Sequence, residues 1–244
     1  MNPATHNAIA PPIRGWLPTT LIDFEGRVAS IVFLGGCNFR CRVCHAGGLV
    51  IDPSSMAPVP LEDVMAHVTD PDNWIDGVVV SGGEPTLHPG LPVLIERFKT
   101  AGLDVKLDTN GTRPDILRRL IDDSMLDYVA MDVKAPLDER YAEVAGVAVD
   151  LEAIRRSIEM LRTGEVPGEL RTTVAPGLVD IAEVRTIAER DIAGAPLYIL
   201  QKHRPTDCLD PAFDEVKPYT DGEMEAMREA AAPFVETCRI RGHV

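Results

Sequence analysis

No part of this chain carries the roughly 18 uninterrupted apolar residues that a membrane-spanning helix needs, so no membrane partner is expected. The first residues, MNPATHNAIAPPIRGW, lack an apolar segment behind a basic start; no secretory leader is expected, and the cytoplasm is the expected compartment. Positive charge is scarce: 24 lysines and arginines stand against 38 acids, a formal net charge of −14. Nucleic-acid binders that follow the phosphate backbone need the opposite balance, so no nucleic acid is expected, and a protein partner should offer a neutral or basic surface. Internal repeats and low-complexity segments are absent. An even set of cysteines is also missing. Five in a reducing compartment disfavour a disulfide framework and leave a metal or catalytic role for those that cluster. Cys208 and Cys238 stand alone and read as packed or surface thiols.

What the chain does have is ordinary globular composition, 45% hydrophobic and 25% charged over 244 residues. One domain over residues 1–244 is expected, with a short N-terminal extension over about 1–20 and a C-terminal amphipathic helix over about 221–232. Six apolar runs read as strands: VASIVFLGG (28–36), GVVVSGG (77–83), LDVKLDTNG (103–111), DYVAMDVK (127–134), ELRTTVAPG (169–177) and PLYILQKHRP (196–205). Between them, apolar residues recur at i, i+3, i+4 and i+7, as at Leu61, Val64, Met65 and Val68 or Leu91, Leu94, Ile95 and Phe98, which predicts helices. Cores such as VVV and YVAM do not alternate, as befits parallel strands covered on both faces. The expected fold class is therefore α/β, a parallel sheet that is open or curled into a partial (β/α)6 barrel.

Every unusual polar cluster falls at the C-terminal end of a predicted strand, the edge where parallel α/β proteins build their sites. The first is GGCNFRCRVCHAGG, in which Cys37, Cys41 and Cys44 are spaced CxxxCxxC. Structural zinc takes four protein ligands, whereas an iron–sulfur cube held by three thiolates keeps one iron open. His45 as a fourth ligand would give a closed zinc site, although its adjacency to Cys44 makes it hard to bring both side chains onto one ion. The second is SGGEPTLHPG, where Gly82 and Gly83 permit close backbone approach and Glu84 offers a carboxylate to an ammonium group. Taken alone it would be a tight turn with Glu84 at a helix start, and the Asn-Gly of LDTNG would be a turn signal. Asp132 and Lys134 would be a structural ion pair, and Arg171 and His203 at the ends of the last two strands would be structural as well.

CxxxCxxC after a first strand, followed by GGEP, resembles the radical S-adenosylmethionine (SAM) superfamily. The resemblance implies a partial (β/α)6 parallel barrel of the radical SAM type. It also implies a [4Fe-4S] cluster on Cys37, Cys41 and Cys44, with the methionyl amine and carboxylate of SAM on the vacant iron. Gly82, Gly83 and Glu84 match the motif that engages the methionyl amine. DTNG with MDVK is similar to the activating enzymes of glycyl-radical proteins. Asp108 and Thr109 then match positions beside the SAM carboxylate and an associated cation, Asp132 and Lys134 ribose- and carboxylate-facing positions, and Arg171 and His203 a basic residue and a histidine of the SAM pocket. Val43 departs from the family, which usually has an aromatic residue there, near the adenine.

Over nearly its whole length the chain looks most like the anaerobic ribonucleoside-triphosphate reductase activating proteins. That implies reductive cleavage of SAM to methionine and a 5′-deoxyadenosyl radical, which abstracts a hydrogen from a glycine of a partner enzyme. The implied partners are a glycyl-radical enzyme, the anaerobic ribonucleotide reductase, and a flavodoxin or ferredoxin as reductant. The alternatives are a radical SAM enzyme acting on a small molecule, for example by forming a heterocycle, and a non-catalytic iron–sulfur or zinc module.

Overall fold

The computed structural model describes residues 9–242. Residues 1–8, which carry part of the expected N-terminal extension, lie outside the described residues. The chain divides into two compact units, one of residues 1–38, 48–109 and 119–128 and one of residues 39–47, 110–118 and 129–244.

In the first unit, strand β1 (Ile13–Thr20) pairs antiparallel with β2 (Ala29–Leu34), and β2 pairs parallel with β3 (Gly77–Gly82), which pairs parallel with β4 (Asp104–Thr109). Val78, Val79 and Val80 are all buried, the double-sided cover that a non-alternating parallel strand requires. Around these strands lie helices α1 (Gly47–Ile51), α2 (Leu61–Val68) and α3 (Leu91–Thr100). The apolar face of α3, Leu91, Leu94, Ile95 and Phe98, is fully buried. Each such side chain contributes roughly 1.5–3 kcal/mol on transfer from water, which outweighs any intrinsic propensity of so short a helix.

The remaining strands, β5 (Tyr128–Asp132), β6 (Gly168–Val174), β7 (Tyr198–Lys202) and β8 (Cys238–Arg241), pair in that order, all parallel. The remaining helices are α4 (Pro114–Asp122), α5 (Arg140–Ala145), α6 (Leu151–Arg162), α7 (Ile181–Thr186) and α8 (Asp221–Ala231). Their starts are set by sequence chemistry. The Asp150 carboxylate accepts from the first-turn N–H groups of α6, and Asp180 with Glu183 and Thr220 with Glu223 form capping boxes at α7 and α8. This is a mixed α/β fold on a parallel sheet, and the six expected strands are β2 to β7. Among the described residues there are two further strands, β1 and β8, and two short helices, α1 and α5, that the apolar pattern does not announce.

Candidate active site

Strand β2 ends at Leu34, and the chain then passes through Gly35 and Gly36 to Cys37. The GGE segment is tied to this stretch: Gly83 N–H donates to the Leu34 carbonyl at 2.9 Å and Glu84 N–H to the Gly36 carbonyl at 2.8 Å. The approach is so close that glycine is required. A Cβ at Gly82 (φ +124°) would lie 2.2 Å from the Leu34 carbonyl oxygen, and one at Gly83 only 2.0 Å from that of Gly36. His88, from the same SGGEPTLHPG segment, donates from Nε2 to the Gly35 carbonyl at 2.8 Å. Sequence reasoning passed over it, although a histidine four residues beyond a GGE glutamate is within reach of the strand the glycines touch.

Glu84 is fully buried, and its Oε1 accepts from Thr86 N at 3.0 Å, Thr86 Oγ1 at 2.5 Å and Thr109 Oγ1 at 2.8 Å. It thereby caps a short helical turn, Pro85–Leu87, and links the end of β3 to the end of β4. Asp108 accepts from Ser81 Oγ at 3.0 Å, with Lys106 Nζ 4.0 Å away. The structure thus brings Gly82, Gly83, Glu84, Asp108 and Thr109 together at the ends of adjacent strands of the first unit.

In the second unit, Asp132 and Lys134 lie at and just beyond the end of β5, and Arg171 on β6. Lys134 Nζ donates to Asp132 Oδ2 at 2.9 Å and Arg171 Nε to Asp132 Oδ1 at 2.8 Å, and Arg171 also lies 3.9 Å from Glu169, which is bound in turn by Arg241 at 2.8 Å. Burial opposes ionisation of Asp132, but the Arg171 and Lys134 cations overcome it and hold the carboxyl at about 2. Burial likewise opposes the charge on Lys134, and Asp132 and Cys41 more than restore it, so its ammonium is held above the ordinary lysine range.

Residues 39–47 carry Cys41 and Cys44. Cys44 N–H donates to the Cys41 carbonyl at 3.1 Å, forming a turn, and the turn is held by Leu209 N–H on Cys44 O at 2.9 Å and Asp210 N–H on Arg42 O at 3.0 Å. Arg42 pairs with Asp210 at 2.8 Å and lies over the Phe213 ring. Val43, the departure from the family's usual aromatic residue, packs against Ala175, Cys208 and Phe213. None of the five cysteines, all among the described residues, is in a disulfide; Cys41 is buried, and Cys37 and Cys44 are partly exposed. His45 and His203 stack with ring centroids 6.3 Å apart, and both lie against Cys208. Cys208 is therefore a packed thiol with two imidazole neighbours, which its isolation in the sequence did not reveal.

The model of the radical SAM superfamily matches residues 31–189. A Methanocaldococcus jannaschii protein named as a glycyl-radical enzyme activating enzyme is 30% identical over 94% of this chain and 95% of its own length. A Thermococcus kodakarensis protein named as a GTP 3′,8-cyclase is 28% identical over 85% of this chain and 66% of its own length. Among solved structures, a domain of a pyruvate-formate lyase-activating enzyme from Bacteroides vulgatus superposes with a TM-score of 0.54 at 17% identity, over 68% of this chain and 99% of that domain, a likeness of fold. No helix among the described residues is long and apolar enough to cross a membrane. A family match over well more than half the chain, on a parallel α/β frame whose strand ends carry the cysteine, GGE and DVK segments, makes this chain a member of the radical SAM superfamily, whose enzymes use a [4Fe-4S] cluster and SAM.

Proposed function

We propose that this chain is a glycyl-radical enzyme activating enzyme and that its partner is an anaerobic ribonucleoside-triphosphate reductase, with a flavodoxin or ferredoxin as electron donor. The observation that carries the reading is end-to-end similarity to the M. jannaschii protein named for that activity. The donor chemistry fits the cofactors: Cys37, Cys41 and Cys44 are three soft thiol ligands, none consumed in a disulfide, with the spacing of a cluster that keeps one iron open. They would hold the [4Fe-4S] cluster. When bound, the cluster and SAM supply reductive cleavage of the sulfonium and, from it, hydrogen abstraction.

The rest falls to the protein. The Lys134 ammonium near Cys41 favours the thiolate that a metal ligand must be. Asp132 stays anionic at neutral pH and can accept hydrogen bonds from ribose hydroxyls, while Lys134 and Arg171 offer fixed positive charge to a carboxylate. Glu84 fixes the hydroxyls of Thr86 and Thr109, which gives the glycine-lined strand ends one defined shape for the methionyl group. Asp108, braced by Ser81, sits at the position that the resemblance gives to the carboxylate and its cation.

The similarity to the T. kodakarensis cyclase favours a second reading, a small-molecule substrate, although this chain spans only 66% of that protein. Anaerobically reconstituted protein, SAM and a reductant should generate a glycyl radical on the reductase of the same organism, seen as a doublet in electron paramagnetic resonance. Silence from every glycyl-radical enzyme of the host, with a small metabolite consumed in step with SAM, would overturn the activase reading.

A further inference from the structure

We propose that His45, His203 and Cys208 form a second metal site, one that takes a zinc-class divalent ion through one nitrogen of each imidazole and the cysteine sulfur. The three side chains belong to the second unit, and their ligand atoms all lie within 4.8 Å of one another. A tetrahedral zinc with bonds of about 2.0–2.3 Å sets its ligands about 3.3–3.8 Å apart, so closing on the ion asks for roughly 1 Å of adjustment. Two histidines and a thiol make a borderline-soft donor set suited to zinc rather than to calcium or magnesium.

The histidines are already oriented as metal ligands. His203 is buried, and its Nε2 lies 3.0 Å from the Phe213 carbonyl oxygen. A carbonyl only accepts, so Nε2 carries a proton, which leaves Nδ1 as the ring nitrogen that the neutral imidazole offers to a metal. That Nδ1 is buried and has no hydrogen-bond partner, a condition that is costly in a native protein unless something binds there. His45 repeats the arrangement, with Nε2 donating to the Arg204 carbonyl at 2.8 Å. Metal-binding histidines are commonly oriented in this way, by a carbonyl on the nitrogen away from the ion.

The third ligand is equally well held. Cys208 N–H donates to Asp214 at 2.9 Å, and the neighbouring Leu209 N–H donates to the Cys44 carbonyl. The Phe213 ring packs edge-on against His203 at 6.1 Å. His45 is exposed, which gives an ion a route from solvent and leaves a fourth position for water. On binding, the thiol proton passes to solvent and the thiolate takes its place on the ion. The site shares no ligand with Cys37, Cys41 and Cys44, but it takes His203, which the resemblance gives to the SAM pocket, for the second metal instead.

The test is metal analysis of anaerobically reconstituted protein, incubated with zinc and gel-filtered. The expected result is about one zinc per chain beside the iron of the cluster, with a zinc-edge absorption spectrum of one sulfur and two or three nitrogen or oxygen neighbours. Cys208→Ser and His45→Asn should lose that zinc and keep the iron, and so should His203→Asn if it folds. The Cys37→Ala, Cys41→Ala, Cys44→Ala triple variant should lose the iron and keep the zinc. Absence of stoichiometric zinc from the wild type, its retention in both Cys208→Ser and His45→Asn, or its loss in the triple variant would each overturn the proposal.

Discussion

The backbone N–H of Glu84 donates to the carbonyl oxygen of Gly36 at 2.8 Å, one residue before the first cysteine of the CxxxCxxC loop. The contact exists because Gly83 has no side chain: a Cβ there would lie 2.0 Å from that same oxygen. Backbone cannot yield as a flexible side chain can. Gly83→Ala should therefore cost about 1–3 kcal/mol or more and lower the melting temperature by several degrees. Iron incorporation should fall with it. Gly222→Ala, in α8 with nothing within 4 Å, should be neutral or slightly stabilising. Equal melting temperatures for the two variants would mean the glycine contact is not as tight as described.

Asp132 supplies a pH-dependent prediction. Its folded carboxyl is held at about 2 against an ordinary value of 3.8, so its contribution is fully present above about pH 4 and is lost as pH falls through about 2. The difference corresponds to something on the order of 2 kcal/mol. In urea titrations of cluster-free protein, wild type should exceed Asp132→Asn in stability at pH 7. The gap should narrow between pH 4 and pH 2. A gap that stays constant across that window would show that the Arg171 and Lys134 cations do not stabilise the anion.

The apolar pattern made six of the eight strands among the described residues legible because β2 to β7 are buried parallel strands, and burial on both faces writes itself as runs such as VVV and YVAM. The missed β1, IRGWLPTT, contains glycine and proline, is partly exposed, pairs antiparallel and is irregular in register between Ile13 and Gly15 and between Leu17 and Thr20. β8 is only four residues, CRIR, none of them buried, and α5 only six. At the site, Gly82, Gly83 and Glu84 were legible as a motif and the Asp132–Lys134 pair as i and i+2 neighbours. Arg171 on Asp132 was not, because its pairing follows from the lateral register of β5 on β6. The His45–His203–Cys208 group lay further out of reach. Its members are separated by up to 163 residues (208 − 45), and the β7–Phe213 loop, not any local spacing, brings them together.

Alanine at Cys37, Cys41 or Cys44 should each abolish the [4Fe-4S] cluster, since three thiolates are the minimum for a cube with one open iron. Cys238→Ala should keep its iron, and so should Cys208→Ala, because both lie outside the CxxxCxxC loop and Cys208 packs against His45 and His203 instead. Iron content and the visible absorption of the reconstituted protein check this. Full iron in any of the three variants would remove that cysteine from the ligand set.

Recognition of SAM should weaken in Lys134→Ala and in Glu84→Gln while the iron remains. Each change removes charge that a hydrogen bond would use, worth on the order of 1.5–3 kcal/mol, or about a ten- to hundredfold rise in Kd. Glutamine is preferred at Glu84 because it retains a carbonyl oxygen for Thr86 and Thr109, whereas alanine would remove the acceptor that both buried hydroxyls share. Equilibrium binding of SAM to cluster-loaded protein reads the effect. Unchanged affinity in both variants would place the methionyl group elsewhere.

The choice between a protein glycine and a small metabolite as hydrogen donor can be read from the product. A chain with a net charge of −14 repels a polyanion such as a nucleoside triphosphate at long range, whereas a glycine-bearing loop on a neutral or basic protein surface meets no such barrier. If the partner reductase is prepared with glycine deuterated at the α-carbon, hydrogen abstraction should place one deuterium in 5′-deoxyadenosine, and the doublet of the glycyl radical should appear with the same stoichiometry. Replacing the receiving glycine with alanine should remove both signals. Mass spectrometry of 5′-deoxyadenosine checks the transfer. Unlabelled 5′-deoxyadenosine formed while GTP disappears at the same rate would instead assign this chain the small-molecule chemistry that its cyclase relative's name describes.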